Sequence, residues 1–310
     1  MQSPGTQLET LCHGAEQQLL LVAPFIKLGA FKRLISELSD NVSLMCVTRW
    51  RPDEIVAGVS DIEIWQIIKS RPNSSLWLRS NLHAKVYRAD TSCLVGSANL
   101  TDTALGWSRQ PNFEFLLEVA SDHPDVKSFE DNLMVGCVQV DESIYIHMKT
   151  VVEAFEDTMP MAVTTPQTVE FPVELPKHET WLPKLRHPEN LFVGYSGKWD
   201  QLSSTSATAV YSDLAALEVP LGLSKLDFER YVGAMLLQKP IVRQVDDFVA
   251  ITQRFGAVTN LLQQLPCSDA SDFSPNEAWQ SLMRWLLYFL PNRYRVFKPR
   301  HSEVFHKIPN

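Results

Sequence analysis

The chain lacks the features that would indicate a disulfide framework, a metal centre or a membrane anchor. Its 310 residues include five cysteines, an odd number without close pairs, so neither a disulfide framework nor a C-x-x-C metal site is spelled out. The N-terminal stretch MQSPGTQLET is polar, and no apolar run approaches the roughly 18 residues of a membrane span. We therefore predict a soluble, cytoplasmic protein, and the sequence indicates no cofactor.

Positive charge is also scarce. The formal net charge is −8 at pH 7, which argues against a surface that is basic all over and holds nucleic acid through phosphate contacts alone. A local basic groove is compatible with this balance. The sequence has no convincing internal repeat and no low-complexity tract, and at 45% hydrophobic residues it can bury the cores of two ordinary domains.

The first half predicts an α/β domain, residues 1–157. The continuous apolar run in QLLLVAP predicts a buried strand, VSLMCVTRW predicts the next buried strand and SSLWLRS a third, with helices between them. A helix between two strands indicates a crossover and a parallel pair. Further strands are predicted at residues 82–88, at 92–98 and in NFEFLLEV, and the helical pattern of DESIYIHMKTVVEAFED closes the domain.

The second half predicts a different architecture. Residues 158–189 contain six prolines and little periodicity, which is typical of a linker or of a strap over the first domain. Residues 190–310 are predicted to form a mainly helical recognition or interaction domain, with helix starts at Ser224 and Ser274. The tail NRYRVFKPRHSEVFHK is either a patch that contacts a nucleic-acid backbone or a solvated terminus. The candidate substrate-binding residues in this tail are Arg293, Arg295, Lys298 and Arg300.

The stretch NLHAKVYRADTSCLVGSANLTDTALG places four polar residues at short spacings in two predicted strands. Residues two apart share one face of a strand, so His83 and Lys85 are expected to point together, as are Ser97 and Asn99. A hairpin would bring the two pairs side by side. An imidazole, an ammonium, a hydroxyl and an amide suit an anion, most simply a phosphate. The imidazole can also attack phosphorus or donate a proton near neutral pH.

These residues also resemble a family motif. The string HAKVYRAD at residues 83–90, followed by GSAN at residues 96–99, resembles the H-x-K-x(4)-D and G-S-x-N motif of the phospholipase D superfamily. The resemblance implies a mixed sheet flanked by helices and a metal-independent cleavage of a phosphodiester in two steps. One histidine would attack phosphorus to form a phosphohistidine. A second histidine would protonate the leaving oxygen and then activate water.

The resemblance also implies roles for individual residues. Lys85, Ser97 and Asn99 would hold the phosphate oxygens and stabilise the charge of the transition state. A glutamate beyond the second part of the motif often orients a catalytic histidine, and Glu114 is the matching residue. Asp90 is interpreted as a structural residue that orders the turn.

The chain carries one such motif, whereas the mechanism requires two histidines. A second H-x-K string at residues 147–149 lies in a helical pattern and is not followed by G-S-x-N, so we interpret it as chance. The sequence therefore predicts a homodimer in which two chains build one working site.

The substrate is not settled by the motif, because the superfamily contains nucleases as well as enzymes that act on lipids. A single motif, a helical second domain and the lack of a basic amphipathic membrane helix favour a DNA endonuclease, or a nuclease subunit of a restriction or phage-defence system. Its further partner would be a helicase, an ATPase or a modification enzyme. The alternatives are a catalytically silent nucleic-acid-binding or assembly subunit and a phospholipase acting on headgroups.

Arg49, at the end of a predicted strand, is either a further substrate-binding residue or an ordinary surface arginine.

Overall fold

The structure, a computed structural model, describes residues 2–156, 177–270, 273–297 and 303–308. The chain divides into two compact units, residues 1–156 and 157–310. The strands of the N-terminal unit are β1 Gln18–Val22, β2 Ser43–Thr48, β3 Ser74–Leu78, β4 Val86–Ala89, β5 Ser92–Gly96, β6 Leu116–Ala120 and β7 Val138–Gln139. Its helices are α1 Pro4–His13, α2 Leu28–Ile35, α3 Pro52–Val56, α4 Ile64–Ser70, α5 Asp102–Leu105, α6 Pro124–Val135 and α7 Glu142–Glu156.

The seven strands form one mixed sheet in the order β6-β5-β4-β1-β2-β3-β7. Strands β1, β2 and β3 are parallel neighbours, as the helices between them predict. Strand β4 runs antiparallel to β1, and β5, β6 and β7 are likewise antiparallel to their neighbours. The predicted fold class, an α/β mixed sheet flanked by helices, is confirmed.

Apolar runs and apolar stripes account for this arrangement. Four consecutive residues of β1, residues 19–22, are buried, as expected for a central strand that is covered on both faces. Helix α2 buries Ala30, Phe31 and Leu34, whose spacing places them on one face of the helix. One face of the sheet packs against α6, whose buried residues are Val126 and Leu133.

Several boundaries differ from the prediction. Residues 82–85 precede β4 and are not part of it, β5 ends at Gly96, and residues 112–115 precede β6. Sequence reasoning also assigned no element to α6 and β7. Helix α6 mixes polar and apolar residues and buries two of them, and β7 has two residues in all, so neither leaves a clear periodic pattern.

The C-terminal unit is mainly helical, as predicted, and also contains a small sheet. Its α-helices are α8 Glu189–Tyr195, α9 Ser204–Leu217, α10 Lys225–Leu236, α11 Pro240–Phe248, α12 Phe255–Gln263 and α13 Pro275–Phe289. Three short 3₁₀ helices span His178–Thr180, Trp199–Gln201 and Pro266–Asp269. Strands β8 Gln253–Arg254, β9 Tyr294–Phe297 and β10 Val304–Lys307 form a sheet in the order β8-β10-β9.

Part of the predicted linker belongs to this second unit. Trp181 and Leu185 are buried, and the backbone amides of Lys184 and Leu185 donate hydrogen bonds to the buried carboxylate of Asp213. Apolar side chains among the prolines therefore pack this stretch into the C-terminal unit, and the linker or strap at residues 158–189 stays a prediction. The rest of that segment, residues 158–176, lies outside the described residues.

Candidate active site at one edge of the sheet

The motif segments meet at the edge of the sheet where the parallel strands end. Val86, the first residue of β4, pairs with Val22, the last residue of β1. Gly96, at the end of β5, pairs with Leu116 at the start of β6. The segments that enter or leave these strand ends carry the candidate residues Arg49, His83, Lys85, Ser97, Asn99 and Glu114. This edge, outside the carboxyl ends of parallel strands, is where open α/β sheets bind ligands.

His83 and Lys85 lie in a loop rather than on a strand, so the shared strand face predicted for them is not formed. The side chain of His83 is exposed, whereas Lys85 is 9% exposed. The ammonium Nζ of Lys85 donates a hydrogen bond to the carbonyl oxygen of His83 at 2.8 Å. The pKa of Lys85 lies below its usual value. Burial of the ammonium is the largest cause, the charge of Glu114 opposes this shift, and the charge of Arg49 adds to it. The site therefore combines an accessible imidazole with a desolvated ammonium.

Ser97 and Glu114 form a hydrogen-bonded pair between the end of β5 and the segment before β6. The hydroxyl of Ser97 donates to Oε2 of Glu114, and it accepts from the amide of Phe115 at 3.3 Å. The other carboxylate oxygen of Glu114 accepts from Nδ2 of Asn112 at 3.2 Å. The resemblance implies that Glu114 orients a catalytic histidine. Within the described chain, the carboxylate of Glu114 instead accepts hydrogen bonds from Ser97 and Asn112.

Asn99 lies next to the end of β1. Leu100, its neighbour, forms a parallel bridge with Ile26, and the amide of Leu100 donates to the carbonyl oxygen of Phe25 at 3.1 Å. Oδ1 of Asn99 is buried and has no hydrogen-bond partner among the described residues. A buried acceptor left unpaired costs about 1–3 kcal/mol, so this oxygen is available to accept a hydrogen bond from a donor outside the described residues.

Asp90 occupies the turn of the β4-β5 hairpin. Its backbone has φ 50°, and its carboxylate accepts hydrogen bonds from the amides of Glu16, Gln17 and Gln18 at 2.8, 3.1 and 2.8 Å. These contacts tie the hairpin turn to the start of β1. They agree with the interpretation of Asp90 as a structural residue.

The predicted basic patch is only partly available to a ligand. Arg293 is held by Asp246 through Nε–Oδ1 and Nη2–Oδ2 distances of 2.9 and 2.7 Å, and its side chain is 10% exposed. This internal ion pair occupies the guanidinium, and the predicted contact of Arg293 with substrate stays a prediction. Arg295 is exposed on β9, and Lys298 and Arg300 lie outside the described residues. The tail is not a solvated terminus either, since Tyr294 and Phe305 are buried in its hairpin.

The remaining features concern α7, metal sites and membrane spans among the described residues. The H-x-K string at residues 147–149 lies within α7, in agreement with its helical pattern. No group of three or more His, Cys, Asp or Glu side chains in the described ranges could hold a metal ion. Among the helices described, none is long and apolar enough to cross a membrane.

Comparison with known proteins yields structural neighbours. No family model matches the chain, and no curated protein matches it. NucT from Helicobacter pylori aligns with a TM-score of 0.35 and 16% identity, over 44% of this chain and 89% of its own length. Nuc from Salmonella typhimurium, a phospholipase D family member, aligns with a TM-score of 0.34 and 18% identity, over 44% of this chain and 90% of its own.

A phosphatidylserine synthase from Haemophilus influenzae Rd KW20 aligns with a TM-score of 0.35 and 13% identity, over 49% of this chain and 41% of its own length. At these identities the likeness concerns the fold of part of the chain alone.

Proposed function

We propose that the chain is a metal-independent phosphodiesterase, in particular a DNA endonuclease or a nuclease subunit of a restriction or phage-defence system. The observation that carries this proposal is the exposed His83 close in the chain to the buried Lys85, whose ammonium donates to the carbonyl oxygen of His83, at the carboxyl edge of the sheet. An accessible imidazole can attack phosphorus, and a desolvated ammonium interacts more strongly with phosphate oxygens than a solvated one does.

The proposed reaction proceeds in two displacements. A ring nitrogen of His83 attacks phosphorus and the bond to the leaving oxygen breaks, while a second imidazole gives that oxygen its proton. The second imidazole then takes a proton from water, whose oxygen attacks phosphorus and releases His83. Lys85, Ser97 and Asn99 would bind the remaining phosphate oxygens and stabilise their charge in both transition states.

The second imidazole is proposed to come from a second copy of the chain. A two-fold contact places the same patch twice, so two His83 side chains could face each other across one phosphate. The surface beside Glu114 supports such a contact. Phe113, Phe115 and Leu117 are 104%, 56% and 57% exposed, and in the described sheet β6 has a neighbouring strand on one side only. Apolar side chains on a free strand edge favour association with another chain.

Hydrolysis of bis(p-nitrophenyl) phosphate and of DNA in the presence of EDTA tests the proposal. His83→Ala should lower the rate roughly 10³-fold or more, because it removes the nucleophile. His13→Ala is the matched control, since His13 is another exposed histidine of the same unit and lies in α1. Light scattering of the active enzyme should show a dimer.

Loss of activity on chelation with recovery on adding Mg²⁺ would contradict the mechanism, as would an active His83→Ala variant. A catalytically competent monomer would overturn the shared site. DNA retention without cleavage would favour a binding subunit instead, and release of headgroups from vesicles would favour a phospholipase.

A further inference from the structure

Two arginines from the ends of neighbouring strands hold the loop that precedes β4, residues 79–85. Nη1 of Arg49, directly after β2, donates to the carbonyl oxygen of Leu82 at 3.1 Å. Nε of Arg79, directly after β3, donates to Oδ1 of Asn81 at 3.0 Å. The amide of Leu82 also donates to the carbonyl oxygen of Arg79 at 3.1 Å. Both residues immediately before His83 are therefore tied to an arginine.

Arg49 is itself anchored by α3 and by an aromatic ring. Its Nε donates to Oε2 of Glu54 at 3.0 Å, and its Nη2 donates to Oε1 of the same carboxylate. The guanidinium carbon lies 5.2 Å from the ring centroid of Phe25. The side chains of Arg49 and Glu54 are 13% and 17% exposed, so the pair is largely shielded from water.

Arg79 is anchored by a different helix. Its Nη1 donates to the carbonyl oxygens of Asn132 and Leu133 at 2.9 and 2.8 Å, near the end of α6. These are carbonyl groups of the last helical turn, which lack partners inside the helix. The loop is thus connected through Arg49 to α3 and through Arg79 to α6.

We propose that Arg49 and Arg79 are positioning residues, which fix the backbone before His83 and do not themselves bind the substrate. The inference rests on the proposed phosphodiesterase function. Three of the nitrogens of Arg49 are committed to Glu54 and Leu82, so a phosphate would have to compete with a carboxylate in two-pronged contact. This assigns Arg49 a role other than the substrate contact predicted from its place in the sequence.

The loop depends on these contacts because it lacks the ladder of hydrogen bonds of a strand. A displacement of the reacting group by about 1 Å is enough to lower a rate on the order of 100-fold. Loss of Arg49 or Arg79 should therefore affect the chemical step more than the binding of substrate.

Arg49→Met and Arg79→Met should lower kcat about 10- to 100-fold while KM stays within about twofold of wild type. Arg49→Lys keeps the charge but loses the two-pronged contact, so it should rescue kcat poorly. Arg71→Met is the matched control. Arg71 is 9% exposed and donates to the carbonyl oxygens of Leu38 and Val42 in a different loop, so its loss should leave kcat unchanged.

A raised KM with unchanged kcat in Arg49→Met would show that Arg49 binds substrate, and would overturn the inference. A wild-type kcat in Arg79→Met would overturn the positioning role of Arg79. If Arg49→Met does not fold, Glu54→Gln replaces it, because it weakens the same anchor without removing a side chain. Glu54→Gln should lower kcat in the same direction, and unchanged kcat there would count against the inference.

Hydrogen exchange of the full-length protein separates this inference from the proposed function. Exchange in residues 79–86 should be faster in Arg49→Met and Arg79→Met than in wild type, and unchanged in Arg71→Met, whose loss should instead affect residues 38–42. Unchanged exchange in residues 79–86 would overturn the positioning roles, whatever the enzyme hydrolyses. If the wild-type protein is inactive and the exchange pattern is nevertheless the expected one, the phosphodiesterase proposal is contradicted. The same result supports the role of the two arginines in fixing the loop.

Discussion

Asp90 tests whether the aspartate of the motif acts by stabilising the fold rather than by chemistry. Its carboxylate accepts three backbone hydrogen bonds, and its own amide donates to the carbonyl oxygen of Gln18 at 3.0 Å. Its positive φ of 50° lies in the left-handed region, which glycine adopts freely and which Asn and Asp tolerate. A substitution series at this position can therefore separate lost contacts from backbone strain.

Asp90→Gly removes the side-chain contacts and leaves the backbone unstrained. A hydrogen bond to a charged group contributes about 1.5–3 kcal/mol, but these three share one partly exposed carboxylate, so we expect a loss of about 2–3 kcal/mol in the free energy of unfolding. Asp90→Ala should lose roughly 1 kcal/mol more through left-handed strain. Asp90→Asn should lie between wild type and Asp90→Gly, because one acceptor oxygen can still serve Gln17 and Gln18.

The loss of stability caused by replacing Asp90 should also depend on pH. Partial burial alone would raise the pKa of Asp90, but the amides of Glu16, Gln18 and Gln17 and the charge of Arg88 outweigh it, so the pKa lies below its usual value. A carboxylate with a depressed pKa stabilises the fold above its unfolded pKa of about 3.9, and the contribution is lost as pH falls through the folded value. The difference between wild type and Asp90→Asn should therefore narrow in acid.

Urea unfolding at pH 7 and at lower pH would measure these differences, and hydrolysis at 25 °C would measure kcat on the folded variants. Asp122→Gly is the matched control, since Asp122 is an exposed aspartate in the turn after β6 and should change stability by about 0.5 kcal/mol at most. Full stability in Asp90→Gly would refute the structural role. Normal stability with lost kcat would show that Asp90 takes part in the chemistry.

Two further outcomes follow from charged groups elsewhere in the chain. Burial alone would raise the pKa of Asp246, but Arg293, Lys307 and Tyr294 lower it to about 2, which corresponds to about 2–3 kcal/mol of stability relative to an ordinary aspartate. Asp246→Asn should remove this contribution, which is fully present above pH 4 and disappears towards pH 2 in urea unfolding, and a difference independent of pH would contradict the assignment. Because Glu114 raises the pKa of the buried Lys85, Glu114→Gln should lower that pKa and move the alkaline limb of kcat/KM to lower pH. An alkaline limb that stays in place or moves to higher pH would contradict the coupling.

The parts of the fold that could be predicted from the sequence are those set by local pattern. Each of the three parallel strands contains a short apolar run, and each lies at its predicted place in the sequence. Ser224 begins α10 as expected, with its hydroxyl accepting from the amide of Asp227 at 3.2 Å. Ser274 also precedes its helix, but its side chain makes no capping hydrogen bond. The place where a helix begins is therefore encoded in the local sequence, whereas the capping hydrogen bond of the serine side chain depends on the final packing.

Contacts between distant residues could not be predicted in this way. The loop before β4 continues the alternating pattern of a strand, yet it is held out of the strand by Arg49, which lies 33 residues from Leu82 in the chain. The charges of Arg293 and Lys307 are likewise satisfied by Asp246, 47 and 61 residues away. A basic stretch in the sequence shows charge but not whether an internal carboxylate already binds it.

The charges at the sheet edge bear on how the proposed dimer would bind its substrate. Arg49 is matched by Glu54, and the positive charge of Lys85 lies within electrostatic range of Glu114. These four residues are balanced in formal charge, so any net positive charge among them and His83 must come from a protonated imidazole. The proposed reaction requires one neutral imidazole as nucleophile and one protonated imidazole as acid. In two such half-sites these five residues would together carry a single positive charge, which matches the single negative charge of a phosphodiester.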